Sequence, residues 1–175
     1  MGLGIPEIKK KSNLLLSNLS LMIEIERKFL VKSDAFKEDA TASFELTQAY
    51  LSSVPERTVR VRIRDDKAFL TIKGKSSADG TSRFEWEKEI EVSEAKELIL
   101  LAEPHPIKKT RYIIPSGKHQ FEVDVFHGIH KGLVIAEIEL SEANEEFHQP
   151  DWLGEEVTGQ KEYYNSYLKN KAFSG

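Results

Sequence analysis

Met22-Ile23-Glu24-Ile25-Glu26-Arg27-Lys28-Phe29-Leu30-Val31 alternates apolar and charged side chains with a period of two. Ile23, Ile25, Phe29 and Val31 fall on one parity, and Glu24, Glu26 and Lys28 on the other. Successive side chains of an extended chain point to opposite faces, so this pattern predicts a strand. The alternation recurs near residues 44–53, 57–65, 67–74, 83–91, 109–115, 119–127 and 132–140, which predicts eight strands. Turn residues separate them: Pro55, Asp65-Asp66, the stretch from Gly74 to Gly80, Pro104 and Pro106, Ser116-Gly117, and Gly128 to Gly132. The short links at Asp65-Asp66 and Ser116-Gly117 imply antiparallel hairpins.

Helical signals are fewer. Ser33-Asp34 is placed to cap a short helix reaching about Ala40, and Ser93 to open one reaching about Ala102. Residues 160–172 read as a terminal helix with Tyr163, Tyr164, Tyr167 and Leu168 on one side. Residues 1–21 carry no period-two pattern, and two readings stand for them: an extension upstream of a natural start at Met22, or a helix over about 6–20. The expected organisation is therefore an N-terminal extension, 1–21, and a single domain, 22–175.

The bulk numbers narrow the function. The chain has 175 residues, enough for a core without covalent staples. It has no cysteine, which removes disulfides, thiolate metal sites and cysteine nucleophiles together. A net charge of −4 argues against a general nucleic-acid binder. No apolar run reaches the length of a membrane span. The apolar stretch after Lys9-Lys10-Lys11 is broken by Ser17, Asn18 and Ser20 and lacks a small-residue cleavage site. The expectation is a cytoplasmic protein without membrane or nucleic-acid partners, with a homodimer left open.

An antiparallel sheet often has one buried apolar face and one solvated charged face, and alternation alone asks for no more. Here, however, charge is segregated by sign. Arg60, Arg62 and Arg64 share one face of their strand, whereas Glu24 and Glu26, Glu85 and Glu87, Glu122 and Asp124, and Glu137 and Glu139 form acidic pairs. Like charges stacked on one face repel unless counter-charges sit among them. About eight strands can close into a barrel wide enough for a small ligand. Carboxylates hold hard divalent cations, and Arg and Lys hold phosphate oxygens. Both inventories in one cavity suit a polyphosphate with its metal ion. The polar face would line the interior, and helices would cover the apolar exterior.

Glu24-Ile25-Glu26-Arg27-Lys28 resembles the Glu-x-Glu-x-Lys signature of the CYTH family, the triphosphate tunnel metalloenzymes. The resemblance continues in order through Arg60-Val61-Arg62, Leu70-Thr71-Ile72-Lys73-Gly74, Arg83-Phe84-Glu85-Trp86-Glu87, Lys109-Thr110-Arg111-Tyr112, Glu122-Val123-Asp124, Glu137-Ile138-Glu139 and Trp152-Leu153-Gly154 to about residue 168. It implies an α+β, mainly β fold: a closed eight-stranded antiparallel β-barrel forming a triphosphate tunnel, with helices packed outside. It also implies Mg2+ or Mn2+ and a small-molecule triphosphate substrate. Inorganic tripolyphosphate hydrolysed to phosphate and diphosphate is the first expectation. The alternatives are thiamine triphosphate, a class IV-type adenylate cyclase, and a non-catalytic polyphosphate- or nucleotide-binding module. Two departures stand out. Twenty-one residues precede Met22, and Glu162 occupies the place before Tyr163 where a basic residue is expected, with Lys161 one position earlier.

With that resemblance, Glu24, Glu26, Glu137 and Glu139 form the expected metal set, since two strands each offer an i, i+2 pair on one face. Arg60, Arg62, Lys73, Lys109, Arg111 and Lys161 are expected at the phosphates, with Glu85 and Glu87 organising the cationic side chains or helping to hold the metal. Lys28 is expected to neutralise developing charge or orient water, and Glu122 and Asp124 to activate water or to serve as further metal ligands. The direction of Arg83 is left open.

Overall fold

The computed structural model describes residues 23–168. The expectations for residues 1–21 and for the end of the terminal helix lie outside the described residues. In chain order the elements are β1 (Ile23–Val31), α1 (Phe36–Asp39), β2 (Ala42–Ser52), β3 (Arg57–Arg64), β4 (Lys67–Gly74), β5 (Ser82–Ile90), α2 (Val92–Leu100), β6 (Ile107–Ser116), β7 (His119–Phe126), β8 (Val134–Glu139), β9 (Leu153–Glu156) and α3 (Asn165–Leu168).

All pairings are antiparallel. The strand order is β5-β4-β3-β2-β6-β7-β8-β1, and a further β5–β1 pairing closes the ring into an eight-stranded barrel. β1 makes the closure by dividing one edge. Residues 23–25 pair with β5, and beyond them Phe29 and Val31 pair with the short β9. Its opposite edge takes β8 through Glu26 to Leu30. β9 escapes the sequence pattern because it has four residues and includes Gly154. That glycine is needed, since a Cβ there would stand 2.6 Å from the Leu30 carbonyl oxygen.

The apolar parity faces outward and is covered in two places. Phe29, Phe121, Val123, Ala136 and Ile138 pack with Phe36 of α1 and with Trp152 and Leu153. Phe36 and Trp152 meet edge to face at 6.0 Å. On the other flank α2 lays Ala95, Leu98 and Ile99 over Val61, Ile63, Ala68 and Leu70. The caps differ from the expected ones. α1 begins after Ala35 without a side-chain cap, and α2 is capped at Glu91, whose backbone N–H donates to the Glu94 carboxylate at 3.0 Å. The terminal segment is a 3-10 turn, Lys161–Tyr163, followed by α3 instead of one continuous helix.

The interior is not polar throughout, as the alternation alone predicts. Tyr50, Ile107, Phe126, Leu133 and Ile135 form a buried apolar cluster with Leu168 of α3. His130 anchors that helix through a 2.6 Å hydrogen bond to the Leu168 carbonyl. The chain after β9 is thus held to the barrel, and the polar cavity gives way to this plug. Gly80 allows the close approach. Its φ is +79°, and a Cβ would lie 2.6 Å from the Cα of Gly159 and 2.8 Å from the Tyr164 hydroxyl.

Candidate active site

Inside the barrel lies a cavity of about 470 Å³ lined almost wholly by polar side chains. β1 contributes Glu24, Glu26 and Lys28; β3 Arg60 and Arg62; β4 Lys73; β5 Arg83, Glu85 and Glu87; β6 Arg111; β7 Glu122; and β8 Glu137 and Glu139. Each strand points these residues inward because they share the parity opposite its apolar residues.

One wall is acidic. Register places Glu26 opposite Glu139 and Lys28 opposite Glu137. Glu24 accepts hydrogen bonds from Lys73 at 2.8 and 3.0 Å and from Arg83 Nε at 3.1 Å. Glu26 accepts one from Arg83 Nη2 at 3.0 Å and lies 2.9 Å from the Lys28 ammonium. Lys28 also bonds Glu137. Burial opposes the charge of Lys28, but Glu137 and Glu26 together raise its pKa, so it stays protonated. Burial likewise works against an ionised Glu137, yet Lys28 and Arg111 hold it well below the usual carboxylate range. Glu139 differs: no ion-pair partner stands beside it among the described residues, and burial together with the charges of Glu24 and Glu26 pushes its pKa up.

The facing wall is cationic. Arg62 Nη2 donates to Glu87 at 3.1 and 3.2 Å, and Arg60 Nη2 to the Thr71 hydroxyl at 3.3 Å. Thr71 itself donates to Glu87 at 2.6 Å, so one carboxylate and one hydroxyl organise both guanidiniums. Lys73 lies 2.5 Å from Glu85. Burial, followed by the charge of Arg60, lowers Arg62 to about 10. Arg60 and Arg62 thus share the single Glu87 carboxylate.

Three expected site residues do not line the cavity. Lys109 and Asp124 are each 1% exposed and pair with one another. Asp124 also takes a bidentate grip from Arg111, 2.7 Å on each arm, and Lys109 lies over the Phe126 ring. They have the inward parity but sit at the boundary with the apolar plug, outside the cavity lining, where Asp124 pairs with both Lys109 and Arg111. Lys161 is exposed and falls outside the lining, one place off the position the resemblance asks for. The sequence reading missed Tyr50, Thr58, Lys118, His119, Gln120, Tyr164, Asn165 and Ser166, all of which line the cavity. Strand parity pointed to Tyr50, Thr58 and Arg83; the loop and terminal residues had no such signal.

The acidic wall suits a hard cation. Its donors are all carboxylate oxygens, and the unpaired, like-charged surroundings of Glu139 would be relieved by one. Among the described residues no three carboxylates already stand around a single point at coordinating spacing. Lys73, Arg83 and Lys28 take up part of Glu24 and Glu26 instead.

Residues 22–172 match the CYTH domain family. An inorganic triphosphatase of Acetivibrio thermocellus is 47% identical over 146 residues, covering 83% of this chain and 92% of that protein. One from Nitrosomonas europaea is 40% identical over 153 residues, covering 84% and 97%. Among solved structures, the crystal structure of an inorganic triphosphatase superposes with a TM-score of 0.58 at 35% identity, covering 83% of this chain and 93% of the other.

Proposed function

The chain belongs to the CYTH domain family, and we propose that within it the protein is a cytoplasmic inorganic triphosphatase, hydrolysing tripolyphosphate to phosphate and diphosphate with Mg2+ or Mn2+. One observation carries this reading: a single cavity holds two guanidiniums, Arg60 and Arg62, that share one carboxylate, Glu87, and across from them a carboxylate, Glu139, with no ion-pair partner among the described residues. A phosphate chain with a divalent cation neutralises both at once. The relatives named inorganic triphosphatase support the same substrate. The described lining offers few aromatic rings, Tyr50 and Tyr164 with His119, which favours an unsubstituted phosphate chain over one carrying a nucleobase.

Glu24, Glu26 and Glu139, with Glu137 one rung deeper, are the residues that would hold the ion. When bound, it supplies charge neutralisation at the phosphate oxygens. Arg60, Arg62, Lys73 and Arg111 bind those oxygens and fix the chain in line for displacement. Asp124 holds the Arg111 guanidinium from behind, and Lys109 pairs with the same carboxylate. Water attacks the terminal phosphorus, its new P–O bond forming as the bridging P–O bond breaks. Glu122, which borders the cavity beside Arg111, takes the proton. Lys28 remains charged and neutralises the diphosphate leaving group.

The test is phosphate release from tripolyphosphate, ATP and thiamine triphosphate under Mg2+ or Mn2+, with cyclic AMP measured in the ATP reaction. Turnover of tripolyphosphate is expected to exceed the others and to fall about 100-fold or more in Glu24→Gln and Glu139→Gln. Cyclic AMP as the main product would instead establish a cyclase.

A further inference from the structure

The β6–β7 hairpin rims the end of the barrel away from the plug, because the far end of β7 leads through His130 to Leu133 and the contacts with Leu168. At the hairpin Ser116 pairs with His119, and Gly117 takes a φ of +63° at the first central position of a two-residue turn. The turn sets Lys118 at the tip, its side chain 73% exposed, and His119 at the start of β7, its side chain 9% exposed. Both line the cavity, as do Leu140 and Ser141 just after β8. His119 has the parity of Phe121, so it reaches the cavity over the rim and not from the inner wall.

Glu145, in the loop between β8 and β9, faces these two basic groups. Lys118 pairs with its Oε1, and His119 Nε2 lies 3.2 Å from the same oxygen. The imidazole is out of line for a hydrogen bond, so its buried Nε2 has no hydrogen-bond partner among the described residues. The other Glu145 oxygen accepts the Ser141 backbone N–H at 2.7 Å. The Lys118 hydrogen bond, followed by that N–H, holds the Glu145 carboxyl down at about 2, so it is ionised at neutral pH. One carboxylate oxygen thus serves two basic groups and satisfies only Lys118. A phosphoryl group offers several acceptor oxygens and more charge than a carboxylate, enough for both.

We propose that Lys118 and His119 form an outer phosphate subsite at the rim of the cavity, binding the oxygens of the phosphoryl group nearest the mouth, and that Glu145 is the counter-ion this group displaces. The proposal rests on the triphosphatase reading and adds to it two residues of a turn, outside the inward stripes of the barrel strands. Because Glu145 competes for the same donors, its removal and the removal of Lys118 act on affinity in opposite directions.

The experiment measures tripolyphosphate hydrolysis with Mg2+, and thermal unfolding, for wild type, Lys118→Gln, His119→Ala and Glu145→Gln. Lys96→Gln, which removes the same charge from the exposed face of α2, is the control. Lys118→Gln is expected to raise KM about 10-fold with kcat within about twofold of wild type, and His119→Ala to raise KM about 3-fold. Glu145→Gln should lower KM about 3-fold, a direction that a merely structural carboxylate would not produce. Lys118 is exposed at a turn, so its variant should melt within about 3 °C of wild type and decides the question even where His119→Ala fails to fold. Unchanged KM in Lys118→Gln, an equal rise in Lys96→Gln, or a higher KM in Glu145→Gln overturns the inference and leaves the triphosphatase reading standing. Wild type that does not hydrolyse tripolyphosphate overturns that reading itself, and the inference with it.

Discussion

Lys109 illustrates how position along an inward-facing stripe changes the role of a charge. It has the same parity as Arg111, two residues on, and in sequence the two are equivalent phosphate ligands. In the fold Lys109 lies against Phe126 and Asp124 beside the apolar plug, and burial lowers its pKa to about 8 even though Asp124 opposes the shift. Its ordinary value is 10.5, so the unfolded chain keeps the proton that the folded protein sheds between those two values. Below pH 8 the burial cost is fully present, and stability contributed at this site rises as pH goes from about 8 to 10.5. Urea unfolding of wild type and Lys109→Met across this window should show the difference between them moving in favour of wild type by on the order of 2 kcal/mol. A difference independent of pH would mean that Lys109 is not held in a low-dielectric site.

Among the elements, α2 shows what packing demands of a surface helix. Ala95 is fully buried in a cluster with Val61 and Ala68. Ala95→Leu is expected to destabilise by about 1–3 kcal/mol through overpacking. Because α2 lies outside the barrel, kcat/KM below the melting range should be unchanged; a loss of activity in the folded variant would show that α2 shapes the cavity. The period-two pattern located the eight barrel strands to within a few residues, since most of them alternate an apolar outer with a polar inner side chain. It could not locate β9, whose four residues are too few for a period, nor the cap of α2. Ser93 has the better intrinsic capping chemistry, but the end of β5 at Ile90 brings the chain into the helix at Glu91.

For the whole molecule, the closing seam is the weak point. β1 and β5 share three paired positions, Ile23 to Ile25 with Phe84 to Ser82, against eight between β3 and β4. The middle position joins Glu24 to Arg83, whose side chains also bond inside the cavity. Amide hydrogen exchange should therefore be fastest at residues 23–25 and 82–84 among the barrel ladders, and slowed there by tripolyphosphate with Mg2+. Uniform protection, or a seam indifferent to ligand, would contradict closure of the barrel through the short β1–β5 ladder.

The alternation of side chains settled the strands, their antiparallel hairpins and which charges share a face, because those follow from backbone geometry and nearest neighbours in the chain. The acidic pairs and the Arg60, Arg62 stripe were legible for the same reason. Which inward residues reach the cavity was decided only by the fold. Closure through β1 brought Arg83 onto Glu24 and Glu26, and the plug around Leu168 withdrew Lys109 and Asp124 from the cavity. The chain after β9 added Tyr164 to Ser166 to its lining. Contacts in this fold join residues as far as 130 positions apart, as between Lys28 and Thr158, and local periodicity holds no information over such a separation.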